Sequence, residues 1–298
     1  MTEAQIPFRK DMAFSYGVPD QVSPLIRRVV AENPSPFTFR GTNTYIVGRG
    51  RVAIIDPGPG LEAHLDAVAA AVAGETVTHV FVTHTHLDHC EGAAALHRRV
   101  GGVLVGAHPR PLPEGAKTTE SIDRGFTPDL VLDDEATFEG DGWTLESVFT
   151  PGHMSNHHCF ALAEEKALFS GDHVMGWNTT IVSPPDGNMR EYFASLDRCM
   201  ARDDSVYWPG HGPQIEGPRP FVRAYLGHRK LRETQIARRL EKGPASVPAL
   251  VAAMYEHLPP AMHGAAGRAV YAHLEHMVET GRAACDGPPA ADSVYRLP

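Results

Sequence analysis

The chain has 298 residues, which is enough for about two domains that each bury a core. Charged residues make up 21% of it and hydrophobic residues 42%, a composition that excludes a disordered or fibrous protein. The formal net charge of −9 argues against coating nucleic acid through bulk charge, and no stretch approaches the roughly 18 apolar residues of a membrane span. Residues 1–14 lack the apolar core of a signal peptide, so we expect a cytoplasmic protein with no membrane partner.

Strands and helices alternate over residues 44–213, which favours an α/β layer structure. Two β-branched runs separated by Gly48-Arg49-Gly50 predict a hairpin over 44–56, and helical spacing of apolar residues predicts a helix over 61–73. An apolar run at 79–83 predicts a strand that leads directly into His84. Further strands are predicted at 103–105, 143–150, 158–162, 167–170 and 206–208, with helices over 90–100 and 190–201.

The pattern of predicted elements and charges changes after Gly217. A long helix rich in Arg and Lys is predicted over 218–242, a second helix from Ser246, a third over 264–280, and a small hairpin in the tail, 283–297. Three helices followed by a hairpin are the order of a winged-helix module. Residues 219–298 hold 11 basic and 7 acidic side chains, whereas 1–218 hold 16 basic and 29 acidic ones. We therefore predict a catalytic domain over 1–217 and a winged-helix-like domain over 218–298.

Imidazole and carboxylate side chains cluster where the strand at 79–83 ends. His84, His86, Asp88 and His89 stand within six positions there, and these are side chains that bind Zn²⁺-class ions. In a turn, alternate residues can face one ion while Asp88 and His89 face a second. Glycine-flanked turns with further ligand types follow three other predicted strands, at His153, Asp172 and His211. Because these strand ends share one edge, we expect the side chains to meet there.

The order H-x-H-x-D-H, Gly-His, Gly-Asp and Gly-His resembles the pattern of the metallo-β-lactamase superfamily. The resemblance implies an αββα sandwich and a hydrolase with two zinc ions, in which a metal-bridging hydroxide attacks the substrate. It implies a first metal on His84, His86 and His153, a second on Asp88, His89 and His211, and Asp172 bridging the two. Asp88 is also a candidate catalytic residue that orients the hydroxide. Imidazole and carboxylate accommodate Mn²⁺ or Fe²⁺ as well.

Other residues resemble those of the lactamase-β-like endoribonucleases of this superfamily, which cut single-stranded RNA. The similar segments are Gly41-Thr42-Asn43-Thr44-Tyr45, Ser170-Gly171-Asp172, Thr179-Thr180 and the winged-helix-like C-terminus, so the resemblance runs from about residue 33 to the end. Single-stranded RNA is therefore one expected substrate, with Asn43, Thr180, Arg229, Lys230 and Arg232 as candidate substrate-binding residues. The chain departs from the subgroup at His173, a candidate general acid because histidine titrates near neutrality.

Two other functions stay open. A small thioester of the hydroxyacylglutathione or acyl-CoA type is the alternative substrate, because thioester hydrolases share the metal pattern and carry a C-terminal helical domain. A nucleic-acid-binding regulator with an inactive lactamase domain is the second alternative, although the complete ligand set weighs against it. The metal ligands do not show whether the bond that is hydrolysed is a phosphodiester or a thioester, because the same hydroxide attacks both. His273 and His276 are expected at the surface, the cysteines as reduced thiols, and the oligomeric state is not readable.

Overall fold

The computed structural model describes residues 6–115, 118, 120–256, 259 and 262–298. Residues 1–5, which belong to the segment predicted to lack the apolar core of a signal peptide, lie outside this range. Of the helices that the structure describes, none combines the length and apolar character needed to cross a lipid bilayer. The cysteines are free thiols, as predicted.

The first sheet has the strand order β1-β2-β3-β4-β5-β6-β7 and is parallel from β4 onward. Its elements are β1 (Asp20–Gln21), β2 (Ile26–Val30), β3 (Asn43–Val47), β4 (Arg51–Ile55), α1 (Glu62–Ala71), β5 (Thr76–Phe81), α2 (Leu87–Cys90), α3 (Ala93–Val100), β6 (Val103–Gly106) and β7 (Leu130–Val131). The helices α1 and α3 pack on the outer face of this sheet. The contacts come from the apolar face of each helix, with Leu65 and Val68 on α1 and Leu96 on α3.

The second sheet has the order β13-β12-β11-β10-β9-β8, in which only the pair β11 and β12 is parallel among the described strands. Its elements are β8 (Thr137–Gly140), β9 (Trp143–Phe149), β10 (His158–Leu162), β11 (Ala167–Gly171), α4 (Met189–Ala201), β12 (Val206–Pro209) and β13 (Ile215–Glu216). Tyr192 and Leu196 of α4 pack on its outer face against Leu168 and Tyr207.

Aromatic side chains from both sheets fill the space between them. The Tyr45 and Phe169 rings lie 5.1 Å apart and the Phe81 and Phe160 rings 4.8 Å apart, with buried Trp143 in the same cluster. Two packed sheets with helices on both outer faces confirm the predicted αββα sandwich.

The C-terminal segment consists of α5 (Pro218–Leu240), β14 (Ala245–Ser246), α6 (Val247–Met254), α7 (His263–Glu279), β15 (Ala284–Cys285) and β16 (Val294–Arg296). A small sheet of order β14-β16-β15 closes this arrangement, which confirms the winged-helix prediction. The helix α5 belongs to two cores, because Phe221 and Tyr225 pack on the sandwich whereas Ile236 and Leu240 pack on α6 and α7. The predicted division into 1–217 and 218–298 stays a prediction.

Candidate metal centre

All the side chains predicted as metal ligands meet at one edge of the sandwich. His84, His86, Asp88 and His89 follow β5, and single residues follow β9, β11 and β12 at His153, Asp172 and His211. Gly210 allows the close approach, because a Cβ there would lie 2.5 Å from the His89 ring and 2.8 Å from Asp172 Oδ1. Strand ends and one glycine therefore bring together residues that are up to 127 positions apart in the chain.

The first ligand group consists of imidazoles. His86 Nδ1 lies 2.9 Å from His84 Nε2 and 3.0 Å from His153 Nε2, so three ring nitrogens converge on one point. Burial and the neighbouring His153 lower the pKa of His86 to about 3, and burial lowers the pKa of His84 and His153 as well. Neutral imidazole nitrogens with free lone pairs are the donors that a divalent cation requires.

The second ligand group combines imidazoles with carboxylates. His211 Nε2 lies 3.2 Å from Asp88 Oδ2, 3.3 Å from His89 Nε2 and 3.4 Å from Asp172 Oδ1. Burial opposes positive charge on His211, yet Asp172 and Asp88 outweigh it and raise its pKa to about 9. The carboxylates therefore favour a positive charge at this position.

Asp172 lies between the two groups. Its Oδ1 is 3.6 Å from His89 Nε2 in the second group, and its Oδ2 is 3.8 Å from His153 Nε2 in the first. The Oδ1 atom is buried and has no hydrogen-bond partner among the described residues. This carboxylate oxygen, without a partner in the described part of the chain, lies between two sets of ring nitrogens. Two divalent cations bound there would use these oxygen and nitrogen atoms as ligands.

A hydrogen-bonded support fixes the ring orientations. Asp56 Oδ2 accepts from His89 Nδ1 at 2.8 Å and from Thr83 Oγ1 at 2.9 Å. Thr83 Oγ1 in turn lies 3.0 Å from His84 Nδ1, and His153 Nδ1 donates to the Ile181 carbonyl at 2.6 Å. These three Nδ1 atoms are thereby engaged, which leaves the Nε2 atoms of the same rings to face the centre. Sequence reasoning missed Asp56, although its place at the end of a strand, directly before Pro57-Gly58, was a usable signal.

Asp56→Asn is expected to lower the affinity for metal by roughly 10–100-fold, because an NH₂ group replaces one of the two accepting oxygens. Either the Thr83 N–H or the pair His89 Nδ1 and Thr83 Oγ1 then loses its acceptor. Competition against a chromogenic chelator measures this affinity. The exposed Asp66, which pairs with Arg99 on the surface, provides the control Asp66→Asn. Equal affinities of the Asp56 variant and the wild type would contradict the supporting role.

The structure corrects the predicted substrate-binding roles of Asn43 and Thr180. Asn43 is buried, and its Nδ2 donates to the carbonyls of Pro209 and Gly212 at 2.9 and 3.0 Å, on either side of His211. Thr180 is buried as well, and its hydroxyl donates to the Asp172 carbonyl at 2.8 Å. Both side chains hold the backbone of ligand loops in place.

The prediction that His173 is a general acid is wrong for this structure. The side chain has no exposed surface and packs 5.0 Å from the Tyr192 ring, away from the cleft. Burial lowers its pKa to about 3, so the ring is neutral at physiological pH. A general acid must reach the substrate, and His173 does not.

The three residues on α5 that were predicted to contact RNA do not form an exposed basic surface. Arg229 is only 3% exposed, donates to the Thr180 carbonyl and lies over the Tyr192 ring, so an external contact to RNA is excluded there. Arg232 is half-buried, with its guanidinium 4.9 Å from the centre of the Tyr255 ring. Of the three basic residues, Lys230 alone is exposed.

His273 and His276 were expected at the surface, and this prediction is wrong. Their Nδ1 atoms lie 3.3 and 2.7 Å from Oε1 of Glu233, a carboxylate on α5 that is 2% exposed. Arg282 donates to the other oxygen of Glu233. His273 and His276, three positions apart on α7, thus belong to an internal hydrogen-bonded cluster around Glu233, whose charge is paired with that of Arg282.

Above the ligands lies a cleft of about 430 Å³. Apolar side chains form much of its wall, namely Phe37, Leu87, Met175 and Ile181. Arg268 of α7 also lines the cleft, and its Nε has no hydrogen-bond partner among the described residues. Glu120 lines it too, and burial raises the pKa of Glu120 to about 7. Neither residue stood out in the sequence, because each is an isolated charge outside any motif.

The sequence of this chain is similar to those of two known families and of several named proteins. Residues 37–211 match the Metallo-beta-lactamase superfamily, and residues 246–290 match the Beta-lactamase associated winged helix domain. The chain is 35% identical over 219 residues to an "Atrochrysone carboxyl ACP thioesterase" of Paecilomyces divaricatus, a match that covers 72% of this chain and 64% of that protein, less than two thirds of its length. It is 30% identical to a "Beta-lactamase-like protein 2 homolog" of Caenorhabditis elegans, covering 75% of this chain and 73% of that one.

Among solved structures, the fold is similar to that of a Beta-lactamase domain protein from Burkholderia ambifaria, with a TM-score of 0.78 and 19% identity over 97% of this chain and 96% of that one. A metallo-beta-lactamase family protein from Thermus thermophilus gives a TM-score of 0.73 and 22% identity over 93% of this chain and 100% of that one. The ligand cluster, the sandwich and these matches together identify the chain as a metal-dependent hydrolase that belongs to the metallo-beta-lactamase superfamily and carries its associated winged helix domain.

Proposed function

We propose that the chain is a di-zinc hydrolase of acyl thioesters. The observation that carries this proposal is the cleft over the ligand cluster, whose walls at Phe37, Met175 and Ile181 are apolar and suit an acyl group. Relatives named as ACP thioesterases support the same substrate class. A thioester joins an apolar acyl group to a sulfur leaving group. The apolar walls of the cleft can bury that acyl group.

In this proposal the ions would be held by His84, His86 and His153 on one side, by Asp88, His89 and His211 on the other, and by Asp172 between them. When bound, zinc ions supply Lewis acidity and a water-derived nucleophile at neutral pH. The chain itself contributes orientation. Thr42 Oγ1 donates to Asp88 Oδ2 at 3.3 Å and holds that carboxylate in the cleft wall. There Asp88 would accept one proton from a water that attacks the acyl carbon, and the thiolate would leave as the C–S bond breaks.

Single-stranded RNA is the second candidate substrate, as implied by the resemblance to endoribonucleases. Two observations favour it: Arg268 faces the cleft, and Arg238, Arg239 and Lys242 surround a surface depression near the end of α5. Guanidinium and ammonium groups bind phosphates. Arg229, which was expected to bind RNA together with Lys230 and Arg232, lies inside the protein, and this is evidence against RNA as the substrate.

Parallel assays on zinc-loaded protein distinguish these substrates. The thioester proposal predicts turnover of an acyl-N-acetylcysteamine thioester, followed by thiol release with a chromogenic disulfide, and no cleavage of a labelled single-stranded RNA. An Asp88→Ala, His89→Ala protein controls for contaminating enzymes. RNA products that are absent from this control, together with an intact thioester, would overturn the proposal in favour of a nuclease.

Arg268→Gln is expected to raise KM for the thioester about tenfold with little change in kcat, since the guanidinium lines the cleft without touching the ligand cluster. Steady-state kinetics over a range of substrate concentrations separates the two constants. Arg223→Gln, an exposed position on α5, serves as the control. An unchanged KM in the Arg268 variant would place the substrate elsewhere in the cleft.

A further inference from the structure

A second pocket of about 200 Å³ lies beside the metal cleft. It is enclosed by α5, α7 and residues 175–181, and Phe37, Met175 and Ile181 form part of its wall and part of the wall of the metal cleft. The pocket and the metal cleft are therefore neighbours with these three side chains between them, and a substrate held at the ligand cluster would reach the pocket by passing these side chains.

The wall of this pocket carries the positive charges of Arg229 and Arg232. Burial lowers the pKa of His228 and His273, which also line it, to about 4, so both rings are neutral at pH 7. The described lining residues include no aspartate or glutamate. Arg232 is held in position by stacking over Tyr255 and by donating to Gln235 Oε1 at 2.8 Å. These contacts orient the guanidinium and leave its charge without a carboxylate in the pocket wall.

Several buried N–H donors in the wall have no partner within the described part of the chain. Arg232 Nη2 donates to His228 Nε2 at 3.4 Å, so the neutral His228 ring carries its proton on Nδ1, which is buried and has no partner among the described residues. Trp177 Nε1 and Arg229 Nε are likewise buried without a partner in the part of the chain that the structure describes. Unsatisfied buried donors are costly, and a ligand rich in acceptor oxygens would satisfy them.

The buried carboxylate of Glu233, which contacts the lining residue His273, is engaged by other groups. Glu233 accepts from His273 Nδ1 and His276 Nδ1 and from Arg282, so its charge is already balanced. It does not line the pocket. The guanidinium of Arg232 and the donor on His228 therefore remain available to an anion.

We propose that this pocket is a subsite for an anionic oxygen group of the substrate, a phosphate or a carboxylate. The inference rests on the proposed thioesterase function, because it makes the pocket part of a longer substrate channel. Phosphate is carried on the pantetheine side of carrier-bound thioesters, and carboxylate can be carried on the acyl side. Arg232, His228 and Trp177 would bind either group through N–H donors.

Three matched thioesters distinguish the two sources. Butyryl-N-acetylcysteamine carries no anion, succinyl-N-acetylcysteamine carries an acyl-side carboxylate, and butyryl-4′-phosphopantetheine carries a thiol-side phosphate. Arg232→Gln is expected to raise KM roughly tenfold for the anionic thioester that binds in the pocket. KM for the neutral thioester should change less than about twofold. Arg223→Gln should change neither. An equal effect of Arg232→Gln on all three substrates would overturn the proposal.

A binding measurement keeps the subsite testable even if no thioester is hydrolysed. Sodium sulfate, titrated against sodium chloride at constant ionic strength, is expected to produce a saturable change in tryptophan fluorescence, because Trp177 lines the pocket. The signal should disappear in Trp177→Phe, weaken at least about tenfold in Arg232→Gln and persist in Arg223→Gln. Saturation that is unchanged in Arg232→Gln, or its absence in the wild type, would overturn the subsite, whereas failure of all three thioesters alone would overturn the thioesterase function.

Discussion

Asp172→Ala is expected to reduce turnover roughly 10³-fold, the largest loss from any single substitution considered. Asp172 lies between the two ligand groups, 3.4 Å from His211 Nε2 and 3.8 Å from His153 Nε2, so no other carboxylate among the described residues faces both. In the proposed di-zinc centre, loss of this oxygen pair would remove one donor from each metal site. A metal ion contributes several kcal/mol to transition-state stabilisation, and about 4 kcal/mol corresponds to a thousandfold change in rate.

The measurement is kcat/KM for the best thioester with zinc in excess over the protein. Asp186→Ala does not serve as a control, because Asp186 holds Ser155 beside the His153 loop. Asp141→Ala serves as the control, because Asp141 is exposed and its one ion pair among the described residues is a 3.9 Å surface contact to Arg51. Activity of Asp172→Ala within about tenfold of the wild type would show that the carboxylate does not bridge the ions.

Glu233→Ala is expected to lower the free energy of unfolding by about 3 kcal/mol. Glu233 is buried and accepts from His273, His276 and Arg282, so its removal leaves these groups without their partner between α5 and α7. Denaturant unfolding at pH 7 measures the loss, with the exposed Glu279→Ala on α7 as the control. A loss no larger than that of the control would contradict the internal cluster.

The same cluster sets a pH dependence. Burial opposes the charge of Glu233, yet hydrogen bonds from His273, His276 and Arg282 outweigh it and hold its pKa well below the ordinary value. A carboxyl group whose pKa is depressed by folding stabilises the protein above its unfolded pKa of about 4.3, and the contribution is lost as the pH falls below that value. The stability difference between the wild type and Glu233→Gln should therefore shrink below about pH 4.

Much of the sandwich and the ligand cluster could be predicted because local signals carry them. Period-two runs, glycine turns and the H-x-H-x-D-H segment each point to structure within a few residues. The strand β2 was missed because Arg27 and Arg28 interrupt its apolar run, and both are buried through long-range contacts to Glu75 and Asp20. Sequence spacing alone does not show that a charged residue has a partner 48 positions away.

The same limitation explains the errors in the C-terminal segment. Arg229 and His273 were assigned to the surface because charged and polar helix residues are usually solvated. Their burial depends on tertiary partners, the Thr180 carbonyl for Arg229 and Glu233 for His273. Asp56 was missed for a related reason, since its role arises only when β4 and β5 bring it beside His89. Supporting residues are defined by packing, whereas ligands are defined by chemical type and motif.

The metal content of the protein after zinc loading and removal of excess metal tests the central claim most directly. Mass spectrometry of digested protein is expected to give roughly two zinc ions per chain, because there are two groups of donors and Asp172 lies 3.8 Å from a ring nitrogen of the first and 3.4 Å from one of the second. His211→Ala, which removes a ligand of the second group alone, should retain about one. A wild-type content of one ion or none, or an unchanged content in His211→Ala, would contradict the account of a two-metal hydrolase.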